Sequence, residues 1–177
     1  NRAIDCYFAN PYAHLLLGYL ASHTQQPVHE ILHHYTRSYA SSHAFGDDLP
    51  VRINLLLNYV HLLEKMGQLS TMRSVLEDSL LQLPKNIILR LFHARCLNHQ
   101  GLKPKALQLY ESIFDEEKQL KCLDNYRDHR ILFVRDYFEC IRERGIDHRA
   151  KGKYVEAMEI FFKILSSQLF KQNCGNR

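Results

Sequence analysis

Gly101 and Gly152 open the same pattern twice. Gly101 is followed by Leu102-Lys103-Pro104-Lys105-Ala106-Leu107-Gln108-Leu109-Tyr110-Glu111-Ser112-Ile113-Phe114. Gly152 is followed by Lys153-Tyr154-Val155-Glu156-Ala157-Met158-Glu159-Ile160-Phe161-Phe162-Lys163-Ile164-Leu165. Both place Ala five residues past the Gly, an aromatic nine past it and Ile twelve past it. A small Ala lets two helices approach closely, and the aromatic fills the space between successive hairpins. The Gly ends the preceding helix, where a left-handed residue is needed. Gly67 lies 34 residues before Gly101, and Gly152 lies 51 after it, one and a half periods. An extra helix's worth of chain therefore stands before the last hairpin. Short helical hairpins cannot bury both faces alone, so such a chain must stack them.

The 34-residue period and the Gly–Ala–aromatic spacing resemble the tetratricopeptide repeat (TPR) family. The resemblance covers about residues 50–170 and is specific around Gly101 and Gly152. In the hairpin at 53–86, Leu56, Leu63, Gly67, Leu69, Leu76 and Pro84 fall in register, while Met72 stands where Ala is expected. At 87–120, Ala94 and Leu97 fit, and Arg90 occupies a place the family usually gives to a large apolar residue. Further towards the N-terminus, Asn10-Pro11 reads as an N-cap and first helical residue, opening a helix over about 11–23 in which Gly18 fits the family's eighth position. Pro27 opens a second helix over about 27–42, closed by Gly46-Asp47-Asp48-Leu49-Pro50. Ile131, Leu132, Val134, Tyr137, Phe138 and Ile141 recur at helical spacing and predict one long helix over about 128–151. The residues after Leu169 read as a frayed tail. The expected fold is all-α: a single TPR-like α-solenoid domain over 1–177, with hairpins at about 11–45, 50–84, 87–117 and 128–170 and one extra or long helix before the last.

Composition agrees with a packed helical chain. Apolar residues are 46% and charged residues 24%, which excludes a disordered chain. Seven Gly and five Pro are too few for an all-β fold with turns at every few residues. No apolar run reaches the length of a membrane span. The start, Asn1-Arg2-Ala3-Ile4-Asp5-Cys6, has neither an apolar signal core nor an initiator Met, which predicts a segment of a longer protein. Five Cys at 6, 96, 122, 140 and 174 form no Cys-x-x-Cys pair and read as reduced thiols of a cytoplasmic or nuclear protein. Residues 1–83 carry five Lys/Arg against seven Asp/Glu, and residues 84–177 carry 18 against 12. The basic half favours an acidic partner.

What the resemblance implies is binding rather than catalysis: a partner along a concave groove lined by the first helices, with no cofactor. By the family's register, the groove positions are Asn54, Leu57, His61, Glu64 and Lys65 in the hairpin at 53–86. They are Ile88, Leu91, Arg95, Asn98 and His99 at 87–120. In the last hairpin they are Glu139, Arg142, Ile146, Arg149 and Ala150. The polar members, Asn54, His61, Lys65, Arg95, Asn98, His99, Arg142 and Arg149, form the expected partner-binding set. Arg95 and Arg142 would act as forked donors to the carboxylates of an acidic peptide. The carboxylate clamp of chaperone-binding members is not reproduced, because Leu57 and Leu91 stand where Lys would be needed.

One motif argues for chemistry. His29-Glu30-Ile31-Leu32-His33 matches H-E-x-x-H, in which two His one helical turn apart hold Zn²⁺ and the Glu serves as general base. The extended form of that motif is absent, since Thr36 and Tyr39 stand where Gly and a third His belong. A catalytic zinc also needs a third protein ligand, and no strand candidate exists for the helix to pack on. His29 and His33 are therefore candidate ligands only, and no metal is expected. His93, Cys96 and His99 are too splayed around their helix to hold one ion.

The reading is a protein–protein interaction scaffold, a subunit or segment of a larger intracellular complex, and not an enzyme. Behind it stands a zinc hydrolase through His29, Glu30 and His33, and ahead of that the alternative of a nucleic-acid-associated subunit of a transcription or RNA-processing assembly. It rests on Arg127, Arg130, Arg135, Arg142, Arg144, Arg149 and Lys151 with Tyr126, Phe133 and Tyr137 between them. Asp124, Asp128, Asp136, Glu139, Glu143 and Asp147 alternate with those cations and would repel phosphate. Apolar flanks at the end hairpins make homo- or hetero-oligomerisation an expectation as well.

Overall fold

The computed structural model describes residues 10–46, 48–114 and 127–166. Those residues form eight α-helices and one 3₁₀ helix, with no strand among them. The helices are α1 Pro11–His23, α2 Val28–Ala40, α3 Leu49–Lys65, α4 Leu69–Gln82, α5 Ile87–His99, α6 Lys103–Phe114, α7 Arg127–Ala150 and α8 Tyr154–Ser166. The 3₁₀ helix, Ser42–Phe45, follows α2. The all-α class is as the sequence predicts. The helix expected over about 27–42 stops at Ala40 and tightens into the 3₁₀ turn. The expected tail after Leu169 lies outside the described residues, as do Tyr126, Cys6, Cys122 and Cys174.

Helix ends follow from local chemistry. The Asn10 side chain accepts a hydrogen bond from the backbone N–H of Tyr12 at 2.9 Å, with Pro11 behind it. Asp48 caps α3 through the Val51 N–H at 3.3 Å, and Asn86 caps α5 through the Leu89 N–H at 3.1 Å. Gly67, Gly101 and Gly152 all lie in the left-handed region, at φ 67°, 76° and 75°. After each, the next residue's N–H reaches back five residues: Gln68 to Leu63, Leu102 to Leu97 and Lys153 to His148, each at 2.9 Å. One turn motif thus closes three helices and reverses the chain into the next. The turn after α1 is made the same way, with Gln26 donating to the Ala21 carbonyl at 3.0 Å, but its left-handed residue is Gln25 at φ 56°.

Contacts group the chain into two compact units, Asn1–Met72 and Arg73–Arg177. In the first, α1 packs on α2, α2 packs on α3, and the 3₁₀ helix touches all three. Gly18 lets α1 lie against the Tyr35 ring: a Cβ there would sit 3.1 Å from the ring carbons. The buried Ser38 hydroxyl donates to the Pro11 carbonyl at 2.8 Å. Ile31, Tyr35, Phe45, Leu55, Tyr59, Val60 and Leu63 make the core of this unit.

In the second unit, α5 and α6 form a hairpin, α7 packs on both, and α8 packs on α7. Ala94, Ala106 and Ala157 are buried at the close approaches. Tyr110 is fully buried beside Tyr137 and Phe114, with ring centroids 6.1 and 6.0 Å away. Arg90, where the expected register calls for a large apolar residue, turns its guanidinium to the Ser112 hydroxyl at 2.9 Å.

Candidate functional site

The second unit fixes α7 on two sides and leaves a third open. Phe133, Val134, Tyr137, Phe138, Cys140 and Ile141 are buried, and Phe133 meets Phe92 of α5 edge-on at 5.2 Å. Ion pairs flank this apolar stripe. Arg95 of α5 donates to the Asp136 carboxylate, Lys103 of α6 donates to Glu143, and Arg144 lies 3.3 Å from Glu111 of α6. On the α8 side, Gly145 is buried, and a Cβ there would come within 2.9 Å of the Phe161 ring.

At about 100° per residue, what remains outward is Ile131, Arg135, Glu139, Arg142, Ile146 and Arg149. All six are exposed. The three Arg recur every seven residues, two turns apart, and so lie nearly in line along the helix. Arg135 leans towards Asp136, with its Nε 3.8 Å from that carboxylate. Among the described residues, neither Arg142 nor Arg149 has an ion-pair partner. Among the described residues, Glu139 is the acidic side chain in this row; the exposed Asp147 lies off it and pairs with Lys151 at 2.6 Å.

The expected groove set divides. Arg142, Ile146 and Arg149 stand together on the open face. Arg95 does not: its guanidinium, expected to face a partner's carboxylate, is committed to Asp136 and is largely buried with it. Asn98 is half-buried and its Oδ1 accepts the Cys140 thiol at 3.4 Å. His99 is exposed and close enough to Asp136 to help keep that carboxylate charged. Ile88 and Leu91, expected to line a groove, are core residues. On α3 in the first unit, Asn54 is exposed and accepts a hydrogen bond from Asn58 at 2.8 Å. Lys65 is also exposed, and the exposed His61 lies 3.8 Å from Glu64.

Sequence reasoning named Arg95 without its partner. The signal was present: Asp136 falls between Phe133 and Tyr137 on the stripe that faces inward. A charge inside an apolar stripe marks a buried pair. Burial pushes the Asp136 carboxyl up, and Arg95, by charge and hydrogen bond, pulls it back.

His29, Glu30 and His33 all lie exposed on α2. Among the described residues, no group of three or more His, Cys, Asp or Glu is placed to hold a metal ion. The close histidine contact is a different one: the buried His14 and the half-buried His34 bring their Nδ1 atoms to 3.1 Å. His93 lies 3.8 Å from Glu77, Cys96 is buried and His99 is exposed, so that trio diverges as its spacing predicts.

No protein-family model matches the chain, and neither curated proteins nor solved structures provide a match. No described helix is long and apolar enough to cross a membrane.

Proposed function

We propose that the chain is a segment of a TPR-like α-solenoid and serves as a protein–protein interaction scaffold. In this reading it is a subunit or segment of a larger intracellular complex, cytoplasmic or nuclear, and it performs no catalysis. The observation that carries the proposal is the outward face of α7, where Arg135, Arg142 and Arg149 stand in line, with Ile131 before them and Ile146 between the last two. The packing of α7 on both α5 and α6 supports the stacking, because the first helix of a following hairpin takes that place in a TPR array. In such arrays the open side of a first helix lines the concave groove.

The partner is an acidic, extended protein segment. Residues seven apart on a helix are about 10.5 Å apart at 1.5 Å per residue. On an extended chain of polyproline II type, with three residues per turn, carboxylates three residues apart share one face and repeat at about 9.3 Å. Each guanidinium offers a fork matched to one carboxylate, and apolar contact comes from Ile131 before the row and Ile146 between Arg142 and Arg149. Glu139 in the middle of the row disfavours a continuous phosphate backbone and so favours a protein partner over nucleic acid.

The test is Arg142→Glu combined with Arg149→Glu. Both positions are exposed, so helix content and melting temperature should stay as in the wild type. Proteins retained by the wild-type chain from cell extract should fall at least tenfold. An unchanged set of retained proteins would remove α7 as the binding face. A retained nucleic acid with steep salt dependence would replace the protein reading with the nucleic-acid one.

A further inference from the structure

The face of α8 turned away from α7 is apolar and open. Val155, Met158, Phe162 and Leu165 are 68%, 71%, 72% and 64% exposed, with Tyr154 beside them at 65%. Val155, Met158, Phe162 and Leu165, together with Phe161 and Glu159, line an open groove of about 480 Å³. Large apolar side chains are seldom left this open in a row, and a patch of this kind marks a contact surface.

The molecule itself shows what an equivalent face requires. In the register that aligns Gly101 with Gly152, Met158 corresponds to Leu107, Phe161 to Tyr110 and Leu165 to Phe114. On α6 those three positions are buried, and Tyr137 of α7 covers Tyr110 and Phe114 at ring distances of 6.1 and 5.0 Å. At the fourth position the two helices differ: Glu111 of α6 meets Arg144 of α7, whereas α8 carries Phe162. The helix covering α8 therefore needs no cation there and meets an apolar seam from end to end.

We infer that a second copy of this chain covers it, α8 against α8, antiparallel about a two-fold axis near Ile160. Val155, Met158, Phe162 and Leu165 follow a 3-4-3 spacing, the seam of a two-helix contact. The spacing is symmetric about residue 160. A two-fold axis there sets Val155 opposite Leu165 of the second copy and Met158 opposite Phe162. An isologous contact needs this self-complementarity. Its size suits a weak contact: with about two-thirds of each side chain open, the stripe presents roughly 500–600 Å² per copy. Two copies then bury at most about 1,000–1,200 Å², just below the standard size of a stable interface, so the dimer is a weak one that forms as concentration rises. This face is separate from the outward row of α7, so the fate of one proposal does not decide the other.

The test is the molar mass in solution of the 177-residue chain over a rising concentration series, with circular dichroism as the folding control. The wild type should reach twice the 20.9 kDa of the single chain. Phe162→Glu alone and Met158→Lys alone should each keep their helix content and weaken association at least thirtyfold. Mixing the two variants should restore a dimer containing one of each, because the new carboxylate and the new amine then face each other across the axis. A wild type that stays monomeric overturns the proposal and leaves the face to another protein or to further residues of its own chain. A dimer indifferent to both variants places the contact elsewhere. Open-ended growth with concentration means a head-to-tail contact, and failure of the mixture to reassociate rules out the antiparallel register.

Discussion

The guanidinium of Arg95 on α5 donates to the carboxylate of Asp136 on α7, across 41 residues of sequence and nearly out of solvent. Burial drives the Asp136 carboxyl up and Arg95 opposes it, so the pair is held between a desolvation cost and a local attraction. It sits on the flank of α7 next to the exposed row. With the apolar stripe and the Lys103–Glu143 and Arg144–Glu111 pairs, it holds α7 with Arg142 and Arg149 outward.

Removing one partner should therefore cost far more than removing both. Arg95→Leu leaves a buried, uncompensated carboxylate and should lower unfolding free energy by about 3–5 kcal/mol. Arg95→Leu with Asp136→Leu should recover most of that loss. The sign with pH follows from the raised carboxyl: the cost of the buried charge is absent where Asp136 is protonated and grows as pH rises. The deficit of Arg95→Leu should thus be smaller at about pH 5 than at about pH 7.5. Urea unfolding of the three chains at both pH values checks this, and a double variant no better than the single one would refute it.

Gly101 ends α5 at φ 76° with no atom within 4 Å of a would-be Cβ, so any cost of substitution there is conformational and not steric. Gly101→Ala should destabilise by about 1 kcal/mol. Gly101→Asn, which tolerates the left-handed region better, should cost less. Equal stability of wild type and Gly101→Ala in chemical denaturation would show that the turn relaxes to another conformation.

The helices and the turns that close them were legible because their signals are local. Gly67, Gly101 and Gly152 stand where only a left-handed turn closes a helix, and Ala106 and Ala157 stand where helices touch. The turn at Gln25 was not legible, since a residue with no preference for that region is held there by the packing of α1 on α2. The candidate site was legible in part. Arg142 and Arg149 follow from register alone, because an exposed helix face needs no knowledge of its neighbours. Arg95, Ile88 and Leu91 do not: whether a position faces a groove or the core depends on how far the next helix overlaps it. No helical period encodes that overlap, and only the inward-facing Asp136 hinted at it.

The two described cysteines are both sealed. Cys96 is fully buried, and burial with the nearby Asp136 pushes the Cys140 thiol up to about 12. Alkylation needs the thiolate as nucleophile, so neither should react in the native chain at about pH 8. Both should label once denaturant is added. Peptide mapping by mass spectrometry after iodoacetamide distinguishes the sites, and native labelling of Cys140 at the rate of a free thiol would show that α7 separates from α5.

His34 gives the first unit a pH dependence of known sign. Burial lowers its affinity for a proton, His14 and His33 lower it further, and Glu30 alone opposes them. The 3.1 Å contact between the Nδ1 atoms of His14 and His34 needs one N–H and one lone pair. Protonating both rings turns two N–H groups against each other between α1 and α2. Because His34 binds its proton more weakly folded than unfolded, its contribution is fully present above the ordinary value of 6.5 and is lost as pH falls below it. Burial also lowers His93, in the second unit, so the wild-type curve alone does not isolate the effect. Comparison with His34→Gln does. Near pH 7.5 the variant should be less stable, by about the 1 kcal/mol of one hydrogen bond. Towards pH 5 the gap should close, because the wild type then carries a penalty that glutamine does not. Stability curves that stay parallel across that range would mean that the His14–His34 contact bears no proton-linked load.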